Sequence, residues 1–142
     1  MSNPEITAIG GCLCQAVRYE IRGPLRDVIA CHCIQCRRTS GHFVAATATR
    51  PENLIITEDG GLRWYRPPKL YKRGFCKYCG SSLFFEPESG DRISIAAGTL
   101  DSSFGLKLAA HIFIEEAGNY YDISDDAVQV VGGQHDIHMP EG

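Results

Sequence analysis

The feature that most restricts how this chain can fold is the grouping of its cysteines. The 142-residue sequence contains seven cysteines, and all of them fall in three short segments: "GGCLC" at 10–14, "CHCIQC" at 31–36 and "GFCKYC" at 74–79. They are Cys12, Cys14, Cys31, Cys33, Cys36, Cys76 and Cys79. Cysteines two or three positions apart are typical of metal sites, and an odd number cannot pair completely in disulfides. We therefore expect metal binding to organise the fold.

The sequence favours a cytoplasmic protein with reduced thiols. Its first residues, "MSNPEITAIGG", lack a basic region followed by an apolar core, and no apolar run approaches the length of a membrane span. The formal net charge is −3, and seven thiolates with two zinc ions would bring it to about −6. A chain this acidic repels polyanions. We therefore expect neither nucleic acid nor a membrane as a partner.

Short alternating segments predict strands along most of the chain. The alternation in "LCQAVRYEI", residues 13–21, predicts a half-buried strand with Leu13, Val17, Tyr19 and Ile21 on its buried side. Further strands are predicted in "DVIAC", "HFVAATAT", "NLIIT", "LRWY", "KLYKR", "SLFFE", "DRISIAAG" and "HIFIEE". The pattern therefore indicates an all-β fold made of several small antiparallel sheets.

Helical structure is expected only as a turn or two over residues 34–40, which Gly41 ends. The length suits a single domain over residues 1–142, with residues 127–142 as a glycine-rich C-terminal tail. His135 and His138 in this tail have no third ligand nearby in sequence. We therefore expect them to be solvated rather than bound to metal.

Four of the cysteines suit a closed structural metal site. Cys76-x-x-Cys79 followed by Gly80 is the pattern of a zinc knuckle, which needs a second pair of ligands. Cys12 and Cys14 can supply that pair, because positions i and i+2 of a strand project to one face. The alternative for Cys12 and Cys14 is that they are buried core cysteines.

The remaining three cysteines, Cys31, Cys33 and Cys36, suit a second ion with an open fourth position. Open positions are typical of catalytic zinc, and three ligands are expected to hold the ion less tightly than four. His32 could close this site as a fourth ligand, hydrogen-bond to a ligand sulfur, or simply pack. If the position is open, a substrate thiol is the ligand that best suits it.

Two further sets of residues are candidates for binding or proton transfer. His32, His42 and His111 are candidate general acids, although each also suits a structural role. Residues 63–77 carry six basic residues and no acidic ones: Arg63, Arg66, Lys69, Lys72, Arg73 and Lys77. These cations could hold the carboxylates of a substrate, or they could be the solvated face of a hairpin.

Four motifs occur in the order "GGCLCQAVRYE" (10–20), "CHCIQCRRTSG" (31–41), "KRGFCKYCGSSLFF" (72–85) and "AAGTLD" (96–101). Through them the chain resembles, over roughly residues 10–126, the glutathione-dependent formaldehyde-activating enzyme family, which includes centromere protein V. The resemblance implies a β-tent, a fold of small coiled β-sheets held by zinc.

The resemblance also implies the roles of the cysteines. A structural zinc would be held by Cys12, Cys14, Cys76 and Cys79, and a catalytic zinc by Cys31, Cys33 and Cys36. The implied activity is that of a carbon–sulfur lyase that joins glutathione to formaldehyde, giving S-hydroxymethylglutathione.

Two other functions remain open from the sequence. In the first, both metals are structural, and the basic stretch 63–77 with its aromatic residues contacts nucleic acid or protein. The second is thiol redox chemistry at Cys76-x-x-Cys79, which the absence of a βαβ pattern disfavours.

Overall fold

The computed structural model describes residues 5–67 and 71–140. Its strands are β1 Ala8–Gly11, β2 Arg18–Ile21, β3 Arg26–Cys31, β4 Val44–Thr49, β5 Leu54–Glu58, β6 Leu62–Tyr65, β7 Tyr71–Cys76, β8 Ser82–Pro87, β9 Ile93–Ala96, β10 Leu108–Ile112 and β11 Val128–Gln129. One α-helix, α1, spans Ile34–Ser40, and short 3₁₀ turns cover Pro51–Asn53, Ala97–Thr99 and Ile114–Glu116. The predicted all-β class is confirmed.

The strands form two sheets. The smaller has the order β1-β2-β5, and the larger has the order β11-β10-β3-β4-β9-β8-β7-β6. Strand β10 runs parallel to both β3 and β11, while the other pairs are antiparallel. The parallel pairing brings β10, late in the sequence, beside the strand that ends at Cys31.

The hydrophobic core lies between the small sheet and strands β8 and β9. Tyr19 of β2 is 1% exposed, packs edge-on against Phe84 at 5.3 Å between ring centroids, and shares a hydrogen bond of 2.8 Å with the hydroxyl of Thr99. Two further hydrogen bonds, of 2.9 and 2.7 Å, join Arg18 to Asp101. The "AAGTLD" segment therefore fastens the first hairpin to the rest of the molecule.

The helix occupies the predicted range. Gly41, with φ of 87°, ends it in the left-handed conformation, and its backbone N–H donates to the carbonyl of Arg37. Glycine suits this position because it has no side chain to oppose a positive φ.

Several strand predictions extend beyond the observed strands, including those at 13–21 and 111–116. Strand β2 begins only at Arg18, and the residues before it form a turn in which Leu13 is 84% exposed. The segment "HIFIEE" leaves the sheet after Ile112 and continues as a 3₁₀ turn at Ile114–Glu116. In both segments the alternating pattern is longer than the run of residues that have a strand partner. In "KLYKR", Lys69 and Leu70 lie outside the described residues.

Residues 127–140, expected as a tail, contain β11 and further backbone contacts. Beyond the β10–β11 pairing, Val130 donates to the carbonyl of His111, and Phe113 donates to that of Gly132. These bonds bring the segment alongside the end of β10. No helix within the described residues 5–67 and 71–140 has the length and apolarity needed to cross a bilayer.

Candidate metal centres

The first group of thiols comes from two turns that lie far apart in sequence. The Sγ atoms of Cys12, Cys14, Cys76 and Cys79 all lie within 4.8 Å of one another. The Sγ of Cys14 is 3.7 Å from those of both Cys12 and Cys76. Tetrahedral zinc with bonds of about 2.3 Å requires sulfurs roughly 3.8 Å apart. The four thiols therefore fit a closed metal site.

Cys12 and Cys14 reach this group from a turn, which corrects the prediction that they share a strand face. They follow β1, and the turn is held by the backbone N–H of Val17, which donates to the sulfur of Cys12 at 3.2 Å. Both Cys12 and Cys76 are 0% exposed and belong to the hydrophobic core. Cys12 can therefore be both a buried core residue and a metal ligand.

The knuckle between β7 and β8 supplies the other two thiols. Gly80, with φ of 79°, donates its N–H to the carbonyl of Cys76 at 2.8 Å. The hydroxyl of Ser81 contacts both cysteine turns. It lies 3.2 Å from the sulfur of Cys79 and accepts a hydrogen bond from the N–H of Leu13 at 3.1 Å. Hydrogen bonding by Ser81 lowers the pKa of Cys79 to about 5. A thiol that is already deprotonated favours metal binding, because the metal binds the thiolate form.

The second group of thiols lies at the junction of β3 and α1. Cys31 ends β3, Cys33 is the N-cap of α1, and Cys36 lies in its first turn. Their three Sγ atoms lie within 4.8 Å of one another. The backbone N–H of Cys36 donates to the sulfur of Cys33 at 3.4 Å. Among the described residues, this group contains three metal-ligating side chains and no fourth.

The three thiols differ in pKa, largely because of the hydrogen bonds among them. The pKa of Cys36 is lowered to about 6, chiefly because Cys31 bonds to its sulfur, with smaller contributions from Cys33 and Arg73. The same bond to Cys36, together with burial, raises the pKa of Cys31. Burial also raises the pKa of Cys33. Of the three thiols, Cys36 is therefore the one that most readily loses its proton.

His32 is turned away from the sulfurs. It is 0% exposed, its Nε2 lies 2.9 Å from Nδ1 of His111, and its Nδ1 contacts the hydroxyl of Tyr121. His111 in turn lies 2.8 Å from the carboxylate of Asp125. Because both ring nitrogens of His32 are already used, the structure favours the packing role over a place on the metal.

The three cysteines open onto a cavity of about 640 Å³. Its walls come from the face of the large sheet, helix α1 and the C-terminal segment. Charged or titratable residues besides the thiols line it as follows: Arg26, Arg73, Arg92, Glu116 and His135. The candidate acids His32, His42 and His111 are absent from this described lining, and His42 instead bonds the hydroxyl of Tyr120 at 2.6 Å.

Of the described cations in the basic stretch 63–77, Arg73 lines the cavity, and its guanidinium lies 4.8 Å from the ring centroid of Phe85. Lys72 pairs with Glu86 at 3.3 Å and lies over the ring of Trp64. Arg63, Arg66 and Lys77 are exposed, and Lys69 lies outside the described residues. The described cations of the stretch therefore divide between Arg73 in the cavity and others that are partly or fully exposed.

Sequence reasoning missed Arg26, Arg92 and Glu116. Each lies in or beside a predicted strand, where a charged residue is usually solvated. Glu116 follows β10, the strand that pairs with β3. That pairing is parallel and joins distant segments, so the sequence around Glu116 does not indicate it. Its carboxylate accepts the N–H of Ile34 at 3.1 Å, beside the cysteine loop.

Comparisons with known proteins place the chain in a family and match its fold. A family model described as glutathione-dependent formaldehyde-activating enzyme matches residues 7–116. A protein named as an uncharacterized lyase of Schizosaccharomyces pombe is 27% identical over 118 residues, covering 82% of this chain and 85% of the relative. A crystal structure of a Rhodobacter sphaeroides protein matches with a TM-score of 0.55 and 26% identity, covering 70% of this chain and 90% of that one.

Proposed function

Because this chain belongs to the glutathione-dependent formaldehyde-activating enzyme family, we propose that it is a zinc-dependent carbon–sulfur lyase that joins glutathione, or a similar thiol, to formaldehyde. The observation that carries the proposal is the incomplete set of ligands beside a cavity. Cys31, Cys33 and Cys36 converge within 4.8 Å and line a space of about 640 Å³. A substrate thiol can enter that space and complete the set.

The two cysteine groups have different roles in this proposal. Cys12, Cys14, Cys76 and Cys79 hold a structural ion, since four thiols fill a tetrahedral site and leave no position for a substrate. Cys31, Cys33 and Cys36 hold the catalytic ion. Zinc bound there would supply a Lewis-acidic position that favours the thiolate form of an incoming thiol.

The chain's own residues then have two tasks. The cavity wall binds the thiol and formaldehyde next to each other, which removes most of the entropic cost of their encounter. A carbon–sulfur bond forms as the carbonyl π bond breaks, and the proton lost by the thiol is matched by one gained at the carbonyl oxygen. Glu116 lies beside the cysteine loop and can carry that proton.

The proposed activity can be measured by two-dimensional exchange NMR on an equilibrium mixture of glutathione and formaldehyde. Zinc-loaded protein should speed exchange between free glutathione and its hydroxymethyl adduct. A Cys33→Ala variant at the same concentration should leave the exchange at its uncatalysed rate. Equal exchange with and without the wild-type protein would remove glutathione and formaldehyde as substrates.

A further inference from the structure

The cavity beside the cysteines has a second, strongly basic end. Arg26 begins β3 and Arg92 precedes β9, and both line the cavity together with His135. Arg26 is only 7% exposed. Arginine is rarely buried this far unless a partner compensates its charge.

No carboxylate of the described chain compensates Arg26. Its guanidinium donates to two backbone carbonyls, those of Asp27 at 3.2 Å and Ala46 at 3.0 Å. Burial and the nearby charge of Arg92 lower the pKa of Arg26 to about 10. Arg92 itself pairs weakly with the exposed carboxylate of its neighbour Asp91, at 3.7 Å. The two guanidinium groups thus repel each other in a site where an anion would relieve the repulsion.

The basic end is separated from the thiols by the length of β3. Arg26 and Cys31 are the first and last residues of that strand, and the five residue-to-residue steps between them span roughly 16 Å. An extended tripeptide covers about 10 Å, which is less than this separation. The long arginine side chains can extend along the cavity toward the thiols and make up the difference. The only acidic residue in the described lining, Glu116, contacts Ile34 near the cysteine loop. A ligand with sulfur at one end and negative charge at the other therefore matches the cavity.

We propose that Arg26 and Arg92 form a carboxylate-binding subsite, which selects thiols that carry a carboxylate several bonds away from sulfur. This inference rests on the proposed function, because it assumes that the thiol end of the ligand lies at Cys31, Cys33 and Cys36. The planar guanidinium groups suit bidentate contact with a carboxylate. A small neutral thiol would leave both arginines uncompensated, so it should bind weakly.

Calorimetry with S-methylglutathione tests the subsite without requiring turnover or a free thiol. Zinc-loaded wild-type protein should bind this probe, and Arg92→Gln should weaken binding tenfold or more. Arg63→Gln, at an exposed position outside the described cavity lining, should change the affinity less than twofold. The diethyl ester of the probe, which lacks both carboxylates, should bind weakly and be indifferent to Arg92→Gln.

Arg26→Lys provides a second variant that keeps a positive charge while losing the planar fork, and it should also weaken binding. The proposal is overturned if wild-type protein does not bind S-methylglutathione, if both arginine variants bind it as wild type does, or if the diester binds equally well. Failure of the exchange experiment with every thiol, while the calorimetric pattern holds, would instead remove the proposed function and leave the anion subsite in place.

Discussion

At the scale of single residues, the two cysteine groups differ in how much the sequence can predict. Cys31, Cys33 and Cys36 lie so close in sequence that their spacing alone predicts their convergence, and the structure brings them together. His32 shares the segment, yet its environment depends on Tyr121 and His111, which come from distant parts of the chain. Local spacing could not choose between its three possible roles for that reason.

The pKa of Cys36 makes metal binding at the three-cysteine group depend on pH. Above about pH 6 Cys36 is already a thiolate, while Cys31 and Cys33 keep their protons because their pKa values are raised. Below that pH, binding must displace one more proton from Cys36. Zinc affinity should therefore fall as the pH falls, and more steeply below about pH 6. Competition with a chromogenic chelator between pH 5.5 and 8 measures this, with Cys33→Ala as the blank for the other site.

Glu116 is the residue for which a catalytic role is most easily separated from a structural one. Glu116→Gln keeps an oxygen that can accept the N–H of Ile34 but removes the ability to carry a proton. It should slow adduct exchange about 100-fold while thermal stability stays unchanged. The adjacent, exposed Glu115→Gln is the matched control and should exchange at the wild-type rate. Equal rates for the two variants would contradict the role of Glu116.

At the scale of elements, turns carry most of the site. The sequence predicted α1 within its observed bounds, because a glycine stop and a polar segment are local signals. It was wrong about the start of β2, where the alternation of 13–21 continues through a turn that places two thiols on the metal side. Alternation does not record the contacts that hold this turn, such as the hydrogen bond from the N–H of Val17 to the sulfur of Cys12.

The knuckle depends on the conformation of Gly80. A Cβ at this position meets no neighbouring atom within 4 Å, so any cost of Gly80→Ala comes from the positive φ of 79°. We expect a loss of about 1–2 kcal/mol in the free energy of unfolding of the zinc-loaded protein. Gly98 also has open space but no positive φ in the left-handed range, and Gly98→Ala should change stability by less than about 0.5 kcal/mol. Denaturant titration of the two variants measures the cost of the positive φ against a control position without it.

At the scale of the whole molecule, the four-cysteine group joins the first hairpin to the β7–β8 hairpin across more than sixty residues. The all-β class was predictable because alternation recurs in almost every segment. The basic end of the cavity was not, because it depends on β3 and β9 lying on either side of β4 in the sheet. Nothing local to Arg26 or Arg92 indicates that arrangement.

Cys79→Ala should disrupt the whole fold rather than one site. It removes a ligand from the group that links the two hairpins, and structural zinc contributes on the order of 10 kcal/mol in small domains. The variant should lose its cooperative thermal transition or melt far below wild type in calorimetry. Cys33→Ala should melt close to wild type, since its site lies at the edge of the cavity. Similar melting of Cys79→Ala and wild type would refute the structural role.

The most direct test of the account is the zinc content of the purified, zinc-equilibrated protein beside that of Cys33→Ala, measured by elemental analysis against protein concentration. The two cysteine groups predict two ions per chain for wild type and one for the variant. Equal zinc content in the two proteins would contradict the central claim, which is that Cys31, Cys33 and Cys36 hold an ion of their own beside the cavity.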